Sequence, residues 1–170
     1  MIEAAGKFCD DEALWRFSLA FYTRPCVSEA LIVLQDRAGR DVNLMLFALW
    51  LGVSGRSRLS EEKLAIADRI ARPIGVDIVE PLRALRRKLK SDPDVDIQRL
   101  REGIKTLELA AERMVQSHLA RIAGSPGSGT DPAARAAAAH ANLALYLGPE
   151  IACGPEAATI GEALEAFVRG

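Results

Sequence analysis

The stretch VNLMLFALWLGV, Val42–Val53, is apolar all the way round when wound as a helix, with Asn43 as its one polar side chain. A helix with no solvated face must be wrapped on several sides by other elements. It is too short for the alternative, since its apolar run is about half of the roughly 20 residues that cross a bilayer. The chain is therefore expected to build a core around this segment. Nowhere do β-branched and aromatic residues alternate with polar ones for long, so no strand is expected. The wrapping elements are helices, and the fold class is all-α: a single-domain helical bundle of seven or eight helices with a long antiparallel helical hairpin. A length of 170 residues suits one domain. With 49% hydrophobic and 26% charged residues, the composition supplies a packed core and argues against disorder.

The core helices span about 11–53. The first runs from about Asp11 to Tyr22, with Asp10, Asp11 and Glu12 at the positive end of its dipole. Leu14, Phe17 and Phe21 share one of its faces. The second, Val27–Asp36, carries Val27, Ala30, Leu31 and Leu34. Gly39 suits a left-handed turn after it, and Asp41 is a fitting N-cap for the third. Seven of the nine aromatic residues lie between Phe8 and Trp50, which puts the main core in these three helices. Ser60 opens a fourth helix, ending near Arg72. A basic helix at about 74–90 carries Ile74, Ile78, Leu82, Leu85 and Leu89 straight through Pro81, where a kink is expected. The next helix, about 95–123, sets Ile97, Leu100, Ile104, Leu107, Ala111, Met114 and His118 at alternating steps of three and four, a heptad seam. After the loop GSPGSGTD, Gly124–Asp131, an alanine-rich helix reaching Leu147 is expected to return along that seam, giving a long hairpin at about 95–147. A short helix follows at about 156–168.

Bulk properties exclude some functions. The net charge of −1 gives no global field towards nucleic acid or acidic lipid. Cys9, Cys26 and Cys153 are odd in number and form no CxxC, so a disulfide framework is not expected and a reduced, cytoplasmic setting is. The N-terminus has no basic stretch followed by an apolar one, so no signal peptide is expected. G-x-S-x-G, P-loop and G-x-G-x-x-G motifs are all missing, and the balance leans away from an enzyme, with no cofactor expected.

Three places can carry function. The first is the polar mouth of the apolar helix: Arg16, Gln35, Asp36, Arg37, Asp41 and Asn43, a candidate ligand site. Its structural account is that Asp41 caps a helix while Asp36 pairs with Arg16, Arg37 or Arg40. Asn43, if buried, must find a hydrogen-bond partner. The second is the basic face Arg83, Arg86, Arg87, Lys88 and Lys90, opposite Leu82, Leu85 and Leu89. It can meet an acidic protein partner, phosphates or a membrane surface. Without interleaved aromatics it does not suggest nucleic acid. Its default is a solvated face, with Glu102, Glu108 and Glu112 as partners within the chain. The third is His118 with His140, which fall within a turn of each other if the expected hairpin forms; Glu112 is then a third zinc ligand. No Glu-x-x-His supports it, and two hydrogen-bonded boundary histidines, with no metal, is the favoured account.

The segments LWRFSLAFY (Leu14–Tyr22), VSEALIVLQDRAGRDVNLMLFALWL (Val27–Leu51) and EPLRALRRKLK (Glu80–Lys90) are distinctive together. The chain resembles a family of uncharacterised proteobacterial all-helical proteins, a domain of unknown function, over roughly Trp15 to Tyr146. The resemblance implies an all-helical bacterial cytosolic protein and brings no activity, cofactor or catalytic residue with it. The expected role is thus a non-enzymatic binding or regulatory protein acting through helical surfaces, towards a protein partner or a second copy. The alternative is a small-ligand binder or enzyme built on Arg16, Asp36, Arg37, Asp41 and Asn43.

Overall fold

α3, Val42–Val53, has the bounds its pattern predicts, and Asn43 through Gly52 are all buried. The computed structural model describes residues 3–56, 58–127 and 131–170, with side chains from Glu12 onward. α1 begins at Glu3, eight residues earlier than expected, so Asp10, Asp11 and Glu12 lie inside the helix and not at the positive end of its dipole; residues 128–130 of the loop lie outside the described residues. The other helices are α1 (Glu3–Tyr22), α2 (Val27–Ala38), α4 (Glu61–Ile74), α5 (Glu80–Lys88), α6 (Val95–Ala120), α7 (Pro132–Leu147), α8 (Pro149–Ala152) and α9 (Pro155–Arg169), and α1, α2, α4, α6 and α7 pack against α3. The fold is all-α, with no strand among the described residues. No single described helix is long and apolar enough to cross a membrane.

The local signals act where they were expected. The Asp41 carboxylate accepts a 2.7 Å hydrogen bond from the Asn43 N–H and caps α3. Gly39 takes φ +62° at the end of α2. Asp131 caps α7 by accepting from the N–H groups of Ala133 and Ala134. α1 and α2 meet at 101°, through a turn in which Cys26 has φ +62°.

Two expectations about packing are corrected. The core is not confined to the first three helices: Val115 and Leu119 of α6, Leu143 and Leu147 of α7, and Ile160 and Leu164 of α9 are all buried in it. Phe167 of α9 stands edge-on to both Phe17 and Phe21, with centroids 5.6 and 5.7 Å away. The hairpin also has a different second arm. α7 packs chiefly along α3, and its other main neighbours are α8 and α9, not α6. The cause is steric fit. A Cβ added at Gly52 would lie 2.2 Å from the Ala139 backbone nitrogen, so α3 and α7 approach more closely than the α6 seam allows. Asn142 fastens that pair, its side-chain amide donating to the Ala48 carbonyl at 3.2 Å and its side-chain oxygen accepting from the Leu59 N–H at 2.9 Å.

α6 packs instead against α1 and against α4 and α5, the last two running antiparallel to it. Lys63 Nζ reaches the Ala123 carbonyl at 3.4 Å near one end, and Gln98 Nε2 donates to the Leu89 carbonyl at 3.0 Å at the other. α4 and α5 are joined through a π-helical turn, Gly75–Val79, so the distortion expected at Pro81 sits just before it. Pro81 has no N–H for the Asp77 carbonyl and its ring crowds that turn; widening the turn relieves both.

Candidate functional site

The hairpin rotates α5 away from its expected polarity, leaving Leu82 and Leu89 half-buried. Arg83 and Arg86 point towards α6, while Leu85 is 45% exposed. Glu108, itself buried, accepts from Arg83 Nε at 2.9 Å, from Arg86 Nε at 2.5 Å and from Arg86 Nη2 at 3.2 Å. Arg83 spreads its fork further, donating to Glu112 at 2.6 Å and to the Gln35 side-chain oxygen at 2.8 Å. It thereby ties α5 to both α6 and α2. Of the five residues of the basic face, Lys88 and Lys90 are exposed on the surface, Arg87 reaches Asp36 at 3.5 Å, and Arg83 and Arg86 turn inward. The solvated face expected from the pattern does not describe those two.

This network walls one side of a cavity of about 300 Å³ between α1, α5 and α6, at the lower end of the sizes that hold small molecules. Trp15, Leu19, Tyr22, Ile32, Leu46 and Leu109 supply its apolar and aromatic wall. Leu19 and Ile32, 50% and 39% exposed, lie at its rim. Arg83, Arg86, Arg87 and Lys105 face Glu108 and Glu112 around it. Deeper in, Gln116 Nε2 donates to Asn43 Oδ1 at 3.0 Å, which supplies the partner that Asn43 requires. Gln116 Oε1 and Ser18 Oγ, also on the lining, are buried and have no hydrogen-bond partner among the described residues. Buried polar atoms are nearly always paired, so two unpaired ones at one cavity mark it as a place for a polar guest.

The carboxyl groups differ in character. Burial pushes Glu108 up, but its hydrogen bonds from Arg86 and Arg83 outweigh that and hold it below the usual carboxylate range. At Glu112 burial prevails over the pull of Arg83, and its carboxyl is raised. Burial, with Glu112 nearby, also raises the Tyr22 hydroxyl.

The polar mouth is divided. Gln35, Asn43, Arg83 and Arg87 line both this cavity and a second, more polar cleft of about 390 Å³, to which Asp36 and Asp41 belong. Burial raises the Asp41 carboxyl against the N–H bonds that stabilise its charge. Tyr146 seals the far side: its hydroxyl oxygen accepts from the Asp41 N–H at 2.7 Å, and burial pushes its own pKa to about 12. Arg40 donates to the Leu147 carbonyl at 2.9 Å. Arg16 and Arg37 are exposed and line neither space, so the pairing of Asp36 with Arg16, Arg37 or Arg40 gives way to Arg87.

The histidines are not brought together by a hairpin. His140 packs against Gly161 of α9, with Glu165 3.7 Å away, and His118 stays on α6. No group of three or more His, Cys, Asp or Glu suited to a metal occurs among the described residues. The residues missed at the cavity include Trp15, Ser18, Tyr22 and Gln116, whereas Glu108 and Glu112 pair with the arginines within the chain as expected. Glu108 and Glu112 stand four apart on α6, opposite Arg83, Arg86 and Arg87 on the preceding helix, and that pairing is the signal that locates the site.

Residues 13–119 match the model of a family described as protein of unknown function (DUF2390). The chain belongs to this family. The match takes in every residue lining the first cavity and leaves out α7, α8 and α9, which complete the core behind it. No curated protein and no solved structure matches the chain. Membership of the DUF2390 family therefore fixes kinship while the chemistry has to be read from the site.

Proposed function

We propose that this protein binds a small amphipathic organic anion in the cavity between α1, α5 and α6, as a ligand-responsive binding protein rather than an enzyme. The observation that carries the proposal is the inward arginine row set against an apolar and aromatic wall. Four lining cations oppose two lining carboxylates, so the cavity has a positive excess. The loosest pairings are Lys105 with Glu102 at 3.8 Å and Arg87 with Asp36 at 3.5 Å, both between half-exposed side chains, which an incoming anion can displace. A carboxylate at Arg87 and Lys105 leaves the apolar body of the ligand against Trp15, Leu19 and Leu109. The surface reading of the basic face is weaker, because Arg83 and Arg86 are occupied within the chain.

The test is calorimetric titration with medium-chain and aromatic carboxylates, beside their neutral amides. The wild type is expected to bind a carboxylate and reject its amide. A charge-assisted hydrogen bond contributes about 1.5–3 kcal/mol, so Arg87→Ala should weaken binding by roughly tenfold or more. Trp15→Ala should weaken it through the apolar wall. Equal binding of acid and amide, no binding of either, or binding unmoved by both variants refutes the proposal.

A further inference from the structure

The heptad seam of α6 splits into two rows. Ile104 and Ala111 are buried, whereas Leu100, Leu107 and Met114, seven residues apart, are 55%, 59% and 40% exposed. The cavity takes the Lys105, Leu109 and Gln116 side of α6. At 3.6 residues per turn the exposed row lies on the opposite flank, together with Gly103 and Ala110. Gly103 weakens the middle of a 26-residue helix, and nothing inside the chain explains it: a Cβ there would meet nothing within 4 Å. Glycine on an exposed helix flank between two leucines is what close approach of another helix requires.

The same flank is self-complementary about Leu107. Leu100 lies seven residues before it and Met114 seven after. Asp96 lies eleven before and His118 eleven after, with Arg121 one turn further on. Against an antiparallel copy of α6, Leu107 meets Leu107, Leu100 meets Met114, Gly103 lies by Ala110, and Asp96, which pairs with Arg99 at 3.0 Å within its own chain, faces His118 and Arg121. A parallel copy would instead stack like charges. We infer that the flank of α6 turned from the cavity is a homodimer interface, in which two antiparallel α6 helices meet across a twofold axis. The α4–α5 arm of each chain completes a four-helix layer, and the interface is isologous, as twofold symmetry demands. The inference stands apart from the ligand proposal, because it uses the other side of the helix.

Sedimentation equilibrium on the full chain tests it. The wild type is expected to show twice its 18.4 kDa mass at high concentration and to dissociate on dilution. Gly103→Lys and Leu107→Glu should stay monomeric at every concentration with unchanged far-UV circular dichroism, since both side chains are solvated in the single chain. Asp96→Lys should shift the dissociation midpoint to higher concentration, and Asp96→Lys combined with Arg121→Glu should bring it back. A monomeric wild type overturns the inference, including one that pellets with anionic vesicles or another protein through this flank. So does a dimer that survives both Gly103→Lys and Leu107→Glu. A dimer lost in those variants but indifferent to both charge changes overturns the antiparallel register.

Discussion

Replacing Glu108 by glutamine asks what the buried charges are for. The Glu108 side chain is 7% exposed and neutralises Arg83 and Arg86, which are 18% and 25% exposed. Glu108→Gln keeps the shape but leaves two guanidinium groups facing Glu112 alone, whose own carboxyl is held towards its neutral form by burial. Breaking a buried pair from one side costs about 3–5 kcal/mol, or roughly two to four orders of magnitude in the folding equilibrium. A typical domain has only about 5–15 kcal/mol in total. Replacing the whole group is different. Arg83→Met, Arg86→Met, Glu108→Leu and Glu112→Met together remove every desolvated charge at similar volume, and such exchanges are often neutral or stabilising by about 1–4 kcal/mol. Urea unfolding followed by far-UV circular dichroism should therefore rank the single variant far below wild type and the fourfold variant near or above it. The fourfold variant should keep carboxylate binding while folded, because Arg87 and Lys105 still line the cavity and the exchanges remove two cations and two carboxylates alike. A Glu108→Gln cost below about 1 kcal/mol, the range of surface pairs, would show that the network is solvated and the reasoning wrong. An unfolded fourfold variant would show that the fold itself depends on the charges.

Gly52→Ala should destabilise strongly although alanine is the better helix former by about 1 kcal/mol. Its Cβ would sit 2.2 and 2.3 Å from backbone atoms of Ala139, which cannot rotate away, so a loss of about 3 kcal/mol is expected in the same unfolding assay, and a wild-type midpoint would refute the contact. Cys26→Gly relieves a left-handed backbone at φ +62° and should raise stability by about 1 kcal/mol, read as an increased urea midpoint without a change in slope. The pH dependence separates the two glutamates. The raised Glu112 carboxyl contributes stability below the ordinary Glu value of about 4.3 that is lost as pH rises through its folded pKa, so Glu112→Gln should flatten that decline. The depressed Glu108 carboxyl contributes stability above the ordinary value that is lost as pH falls through its folded pKa, so Glu108→Gln should flatten the acid-side loss instead.

Much of the fold is local chemistry, and local chemistry is legible. The all-round apolar character of α3, the Asp41 cap and the Gly39 turn each act through neighbours a few residues away. What misled was the choice of partner for an amphipathic face. The alanine side of α7 fits either a leucine seam or a glycine, and Gly52 on α3, far away in sequence, offers the closer approach. The candidate site was half legible for the same reason. Gln35, Asp36, Asp41 and Asn43 stand where a buried helix starts, and all four line the two cavities. Arg16 and Arg37 share their polarity but are exposed, because side-chain direction depends on helix rotation, which net polarity does not reveal.

That rotation is the least expected property of α5, and it connects both sides of the hairpin. A lone helix on a core would bury Leu82, Leu85 and Leu89 and solvate its arginines, since each fully buried leucine is favourable by about 1.5–3 kcal/mol. Here Leu85 is left 45% exposed while two arginines are partly desolvated. Glu108 and Glu112 hold the arginine side inward, but a pair of buried ions stabilises little beyond its own desolvation, so the glutamates alone do not recover what the leucines forgo. The balance closes if each flank has an occupant: an anion among the cations on one side, and a second chain over the leucines on the other. On that account the hairpin is a two-sided element, and the orientation that makes the cavity is the same orientation that makes the interface.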